Sequence, residues 1–383
     1  MKIASFVAGL SAWGTLAVLL LPSAAAECAQ GVPANSAALE QQAALADQYR
    51  RAHLFATGFG TRVAVIDTGV STHPRLPNLA SGGSVIADPE SGDALEDCDA
   101  HGTAVAGIIA ARWDQDEIVG VAPDAGIVSI KQMSDHRDAG GTLATLSQAI
   151  DVAVDQGVDV INISVVSCIP QGPFSVDLSG LEAALNRAEE ANIVVVSAAG
   201  NQDAQCTPDS LIVPAAMPTV VSVAALSDPY HHAAYSLDSS QPQVAAPGKV
   251  FAALSNSGGF LASGIEQSAS SVQSFEGTSF AAPLISGTFA LLRQKYPTAT
   301  ARELRELVIS SVDPTSGAID IPRVLDYRLP EDEASLVSST PPAAHAISAP
   351  RRHQSSIPLA SSWLVVLASL ILVLTIAYSR MRT

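Results

Sequence analysis

Positive charge is scarce in this chain. Of 383 residues, 20 are Lys or Arg against 37 Asp or Glu, and charged residues make up 15%. Three basic residues, Lys2, Arg380 and Arg382, lie in or beside apolar end segments, and every acidic residue lies between Glu27 and Glu333. The part between the ends therefore sets 17 basic against 37 acidic side chains, a balance of −20. That sign argues against nucleic-acid binding, which needs a basic face. It also argues against docking on anionic lipid by charge. Hydrophobic residues, at 48%, are ample for a core, so wholesale disorder is excluded. Cysteine is sparse, with four in the chain. No repeat and no break in composition divides residues 27–328, which read as one domain.

The ends set the compartment. Residues 1–26 carry Lys2, an apolar run from Phe6 to Leu21, and Ala24-Ala25-Ala26, the pattern of a cleaved secretory signal. An uncleaved anchor is the competing reading. Residues 329–358 are rich in Pro, Ser and Ala and read as a disordered tether with an r.m.s. reach of roughly 30 Å. Residues 359–379 form an apolar stretch long enough to span a bilayer, with Trp363 and Tyr378 near its ends. Residues 380–383, with Arg380 and Arg382, then form a cytoplasmic tail by the positive-inside rule. A GPI signal would not end on such a basic tail. The expectation is a single-pass cell-membrane protein whose domain is extracytoplasmic.

Within the domain, β-branched runs at Val63–Ile66, Ile127–Ile130, Val158–Ile163, Ile193–Ser197 and Val220–Val223 alternate with helical patterns. The helices fall at Leu143–Gln156, Leu178–Ala191, Ser279–Lys295 and Ala301–Ser311. Apolar strands separated by helices predict an α/β fold, a doubly wound parallel sheet covered on both faces. Functional groups of such sheets gather at the carboxyl ends of the strands.

Four residues stand at such places. Asp67 follows the strand Val63–Ile66 and precedes Thr68-Gly69; alone, it could merely open a turn. Asp-Thr-Gly is also the aspartic-protease triplet, but that chemistry needs a second carboxylate, and no other Asp-(Ser/Thr)-Gly occurs. His101 opens a run of small residues, His101-Gly102-Thr103-Ala104, that leaves its ring uncrowded. Asn201 closes the run Ser197–Asn201, where an amide donor could hold a carbonyl oxygen gaining charge. Ser279, in Gly277-Thr278-Ser279-Phe280-Ala281, is either an N-cap or a nucleophile backed by a helix N-terminus. The α/β-hydrolase elbow fails, because residue 281 is Ala and the later histidines, His345 and His353, lie in the tether.

In the order Asp67, His101, Asn201, Ser279, these motifs make the chain resemble the subtilisin-like serine proteases, from about Val63 to Ser310. The resemblance implies Ser279 as nucleophile, His101 as general base and then acid, and Asp67 as the group orienting the imidazole. Asn201 and the Ser279 N–H would form the oxyanion hole. No cofactor is implied. Only 40 residues separate Glu27 from Asp67, too few for the family's usual folding propeptide as well as the domain's first elements. Cys98 stands three residues before His101, and Cys168 follows the strand ending at Ile163. These additions, with the C-terminal anchor, resemble the mycosins, membrane-anchored subtilases of actinobacterial type VII secretion systems. That likeness implies a peptide or protein substrate and a secretion membrane complex as partner. The competing readings are a structural part of such a complex with dispensable proteolysis, and a general anchored subtilase.

Four cysteines allow three pairings. Cys168 and Cys206 each follow a predicted strand, and those strands are consecutive and so neighbours. The expected pairs are Cys168–Cys206 and, by what remains, Cys28–Cys98. By the resemblance, Ser164-Val165-Val166 and Ala198-Ala199-Gly200 form the two walls of the pocket for the residue before the scissile bond (P1). Val166 stands where subtilases usually have Gly, which predicts a preference for small side chains there. Asp93, Glu96, Asp97 and Asp99 read as a solvated acidic loop. His231-His232 read as an exposed loop pair, with no partner spaced for zinc. His73 reads as structural.

Overall fold

Strand β1 (Gly31–Pro33) and helix α1 (Ser36–Ala52) precede β2 (Arg62–Asp67), β3 (Leu79–Ser84) and α2 (His101–Ala110). Next come β4 (Gly126–Lys131), α3 (Leu143–Asp155), β5 (Val160–Ile163) and β6 (Ser167–Ile169). Helix α4 (Ser179–Glu190) leads to β7 (Val194–Ala198), β8 (Leu211–Val213) and β9 (Val220–Asp228). Short strands succeed them: β10 (His231–His232), β11 (Val244–Pro247), β12 (Lys249–Val250) and β13 (Ala253–Leu254). The hairpin of β14 (Leu261–Ser268) and β15 (Ser271–Glu276) runs into α5 (Thr278–Lys295), α6 (Ala301–Ser311) and α7 (Ile321–Asp326). This computed structural model describes residues 28–86, 92–134, 140–172, 176–204, 206–237, 244–268 and 271–327. The expected signal segment, tether, membrane span and tail lie outside the described residues. Among the described residues, no helix is long and apolar enough to cross a membrane.

The main sheet runs β10-β9-β7-β5-β2-β4-β3, with β11 beside β9. The neighbours from β3 to β9 are parallel, and β10 is antiparallel at one edge. Its centre is apolar on both faces because both are covered: Val63, Ala64, Val65 and Ile66 are fully buried. Side chains alternate across the pleat. Ala64, Ile66, Ile161, Ile163 and Val195 pack with α3 and α4. Helices α2 and α5 pack against the sheet from the other side, α5 along β5, β7 and β9. Helix α5 is buried nearly throughout, as expected of a helix apolar on every side. The α/β sheet with helices on both faces is thus present; β2, β4, β5, β7, α3, α4, α5 and α6 fall within two residues of the runs in the sequence, whereas β9 continues five residues past Val223, to Asp228.

A second sheet has no counterpart in the sequence reading. It is antiparallel, in the order β1-β14-β15-β12, with β13 against β14. Its strands are short or solvent-facing, and β15 buries only Phe275 among Ser271–Glu276, so no alternation marks it. A third pair, β6 with β8, sets Cys168 opposite Ile212. Cys28 is bonded to Cys98 and Cys168 to Cys206.

Two local readings need correction. Asp97 is not part of a solvated loop: it is 2% exposed, because neighbouring donors surround its carboxylate. His231 and His232 form β10 rather than a loop; His231 meets Asp228 and is exposed, while His232 bonds the Ser316 carbonyl. His73 accepts from the Arg75 N–H and packs inside, a structural place.

Candidate active site

Strand β2 ends on Asp67, fully buried, at the carboxyl end of the sheet. Its Oδ1 accepts the Thr68 N–H (2.8 Å) and lies 2.7 Å from His101 Nδ1. A carboxylate can only accept there, so the proton sits on Nδ1 and leaves Nε2 with its lone pair. His101 is the first residue of α2, and its side chain is 25% exposed. Its ring is tilted against Phe280, with centroids 5.1 Å apart, and Phe280 meets Phe275 edge-on. Phe280 directly follows Ser279, so this contact brings the start of α5 up to the imidazole. Burial disfavours the His101 imidazolium. The Asp67 charge and hydrogen bond, with the charges of Asp97 and Asp99, outweigh burial and raise its pKa above the ordinary value.

Ser279 lies in the first turn of α5, whose early N–H groups have no helical partner. Pro283, four residues on, has no N–H to offer the Ser279 carbonyl. Ser164 Oγ donates to that carbonyl instead (2.9 Å). Behind it, Asn162 Nδ2 donates to Ser164 Oγ (2.9 Å), and Ser286 Oγ donates to Asn162 Oδ1 (2.8 Å). This buried chain ties the end of β5 to the Ser279 turn.

Asn201 Oδ1 accepts both the Thr278 N–H (2.9 Å) and the Thr278 hydroxyl (3.0 Å). Using the oxygen this way turns Nδ2 to the other side, beside Gly277. A Cβ at Gly277 would lie 2.9 Å from that nitrogen, so glycine permits the close approach. Thr278 Oγ1 also accepts the Gly200 N–H (3.1 Å), which joins the segment after β7 to α5.

His101, Ser279, Thr68 and Ser164-Val165-Val166 line one cleft of about 750 Å³. Ala198, Ala199 and Gly200 are buried at the end of β7. Val166 packs against a buried cluster of Ile212, Ala215 and Leu237, in which Ile212 is fully buried. Ile212 Cγ2 lies 3.2 Å from where a Cβ on Gly200 would be. The far cleft wall comes from Ala29 and from Ile265, Glu266 and Gln273 of the hairpin. Neither Ile212 nor this wall was legible in the sequence; both are brought in by antiparallel pairings that no local pattern announces. Among the described residues, no group of three His, Cys, Asp or Glu could hold a metal ion. The arrangement puts Ser279 and the His101 imidazole on one cleft, with the Asp67 carboxylate buried behind the imidazole and the Asn201 amide bonded to Thr278 next to Ser279, the parts of acyl transfer.

The family model of the subtilase family (peptidase S8) matches residues 58–334. The chain is 38% identical to Mycosin-4 of Mycobacterium tuberculosis over 333 residues, 77% of this chain and 70% of that one. It superposes on the MycP3 protease from the type VII (ESX-3) secretion system with a TM-score of 0.72 and 32% identity. That match covers 79% of this chain and 93% of the other. A chain of an intact ESX-5 inner membrane complex matches with a TM-score of 0.71 and 26% identity, covering 94% of each.

Proposed function

The chain belongs to the subtilase family of serine proteases, and from that premise we propose that Ser279, His101 and Asp67 carry its endopeptidase activity. Ser279 Oγ attacks the scissile carbonyl carbon and passes its proton to His101 Nε2. Asp67 holds Nδ1–H and so fixes the tautomer and steadies the imidazolium. The carbonyl oxygen, now an oxyanion, is held by Asn201 Nδ2 and the Ser279 N–H at the positive end of α5. His101 then protonates the leaving amine, and water repeats the sequence to release the acyl group. The observation that carries this reading is the 2.7 Å contact of His101 Nδ1 with a fully buried Asp67 beside the cleft that also holds Ser279.

Substrate binds extended along Ser164-Val165-Val166 as an added strand, with its P1 side chain between Val166 and Ala198–Gly200. The compartment is extracytoplasmic, with residues 359–379 as the anchor. The partner is a type VII secretion membrane complex; the likeness to a chain of the ESX-5 inner membrane complex supports this. That same likeness favours a second role, as a structural part of the complex.

Reaction of the full chain with a fluorophosphonate probe tests the chemistry. Wild type should label, and Ser279→Ala should not. Peptide cleavage by Ser279→Ala or His101→Ala should fall by about 10⁶, as it does in subtilisin. Wild-type-like turnover by either variant would overturn the assignment.

A further inference from the structure

The geometry points to Asp97 as a positioning residue for the Asp67–His101 pair, a buried carboxylate that clamps the turn after β2 to the first turn of α2. The proposal rests on the protease reading above. Helix α2 has no cap of its own, since Ala100 at its N-cap is in the left-handed region (φ 62°) and offers no side-chain acceptor. Its first N–H groups are met from elsewhere. Thr103 N–H donates to Asp97 Oδ2 (2.8 Å), and the Gly102 N–H donates to Thr68 Oγ1 (3.0 Å). Thr103 Oγ1 also donates to Oδ2 (2.6 Å). On the other oxygen, Oδ1 accepts the Thr68 hydroxyl (2.8 Å) and the Asp99 N–H (3.2 Å).

Burial, with the Asp67 charge, pushes the Asp97 pKa up from the usual carboxylate range, while the bonds from Thr103 and Thr68 pull it back. All four groups that bond it are donors, so an ionised carboxylate satisfies them and an amide cannot. Thr68 is the shared link. Its N–H fixes Asp67 Oδ1, while its hydroxyl, turned to Asp97, leaves a lone pair for Gly102 beside His101. Asp67 and His101 are 34 residues apart in the chain. Besides their own contact, the turn and the helix are joined directly by Gly102 N–H to Thr68 Oγ1 and by Ser71 N–H to Thr103 Oγ1 (2.9 Å), and Asp97 bonds both of the hydroxyls that accept them. Asp97 touches neither substrate nor the reacting atoms, and so acts only through this pair.

Charge gives the second readout. Around His101 lie Asp67, Asp97 and Asp99, with Lys131 at the end of β4 beside Asp67 and Glu266 across the cleft. The Asp97 charge favours the imidazolium. Removing it lets His101 lose its proton at lower pH, so the acid limb of kcat/KM moves down the pH scale.

The test is Asp97→Asn in the full chain, with active sites counted by the fluorophosphonate probe. We expect kcat per labelled site to fall about 10- to 100-fold, the scale of a small misplacement in a reacting geometry, with KM within about twofold. The acid limb should shift to lower pH. A purely structural role would reduce the number of labelled sites and leave kcat per site and the pH profile as in wild type; that result overturns the proposal. If Asp97→Asn does not fold, Thr68→Val cuts the link while leaving the carboxylate, and unchanged kcat per site in that variant overturns it too. A wild type that takes no label sinks the protease reading itself, whereas a labelled wild type matched by its variants sinks this proposal alone.

Discussion

In the general-base role proposed for it, His101 would act only when neutral, and the carboxylates around it favour its charged form. Asp67 contributes most to this, against the pull of burial, and the net pKa is raised. The fraction of neutral imidazole therefore grows as pH rises through a value above the ordinary figure of about 6.5. A pH profile of kcat/KM should show an acid limb centred above that figure, and a limb below pH 6 would contradict it. Side-chain selectivity is also decided by single residues. If the P1 pocket lies between Val166 and Ala198–Gly200 as proposed, Ile212, in the cluster that Val166 packs on and close to Gly200, makes it shallow. Peptides with Ala at P1 should be cleaved about 10- to 100-fold faster than those with Phe or Leu. Ile212→Ala should narrow that gap while destabilising the fold by about 2–5 kcal/mol, since it empties a fully buried site. Profiling both chains on a P1-varied peptide library decides this, and a wild-type preference for Phe would refute it. The sequence pointed to Asp67, His101, Asn201 and Ser279 because each stands at or just past a strand's end or in the first turn of a helix, inside a recognisable run. Asp97 and Ile212 gave no such sign. Their roles depend on which distant groups surround them, and an Asp in a run of acids reads as a surface residue until the Thr68 and Thr103 donors are seen around it.

Elements bring these residues together with cross-links that the sequence half discloses. The N-terminal arm is bonded to the His101 loop by Cys28–Cys98, by Ala29 N–H to the Cys98 carbonyl (2.8 Å), and through Asn256, whose amide reaches both Ala29 and Asp97 carbonyls. Closing a span of 70 residues, this bridge contributes about 4 kcal/mol through the entropy of the unfolded chain. Cys28→Ser with Cys98→Ser should lower the unfolding temperature and, by loosening the Asp97 loop, kcat. A melting curve that reductant leaves unchanged would count against it. Helix α6 is held more locally, by a capping box in which Thr300 and Glu303 satisfy each other's backbone N–H. Thr300→Ala should cost about 1 kcal/mol, read as a fall of a few degrees in thermal unfolding without change in kcat. Helix α6 was legible to the residue because its cap and its apolar spacing agree. The β14–β15 hairpin was not, because among the described residues β14 buries the small Ala262 and Gly264 and β15 buries Phe275, too little apolar side chain to show as a period.

The whole molecule is acidic, and that bears on where it can sit. Between the apolar ends the balance of −20 sets the domain against an anionic bilayer. At the negative surface potential of such a membrane, each net charge near the lipid costs energy that falls off within a Debye length of about 8 Å at physiological salt. If residues 359–379 are the anchor proposed above, the chain would be held in the bilayer without any lipid contact by the acidic domain. Attachment would then reside wholly in the apolar segment and not in the protease domain. Two preparations separate these possibilities: the full chain, and a chain ending at residue 328. The full chain should stay with membranes through an alkaline carbonate wash. The shortened chain should be released, should not float with vesicles rich in anionic lipid, and should still take the fluorophosphonate label at Ser279. Floating of the shortened chain at physiological salt would show that the domain itself holds lipid and would overturn the tethered arrangement.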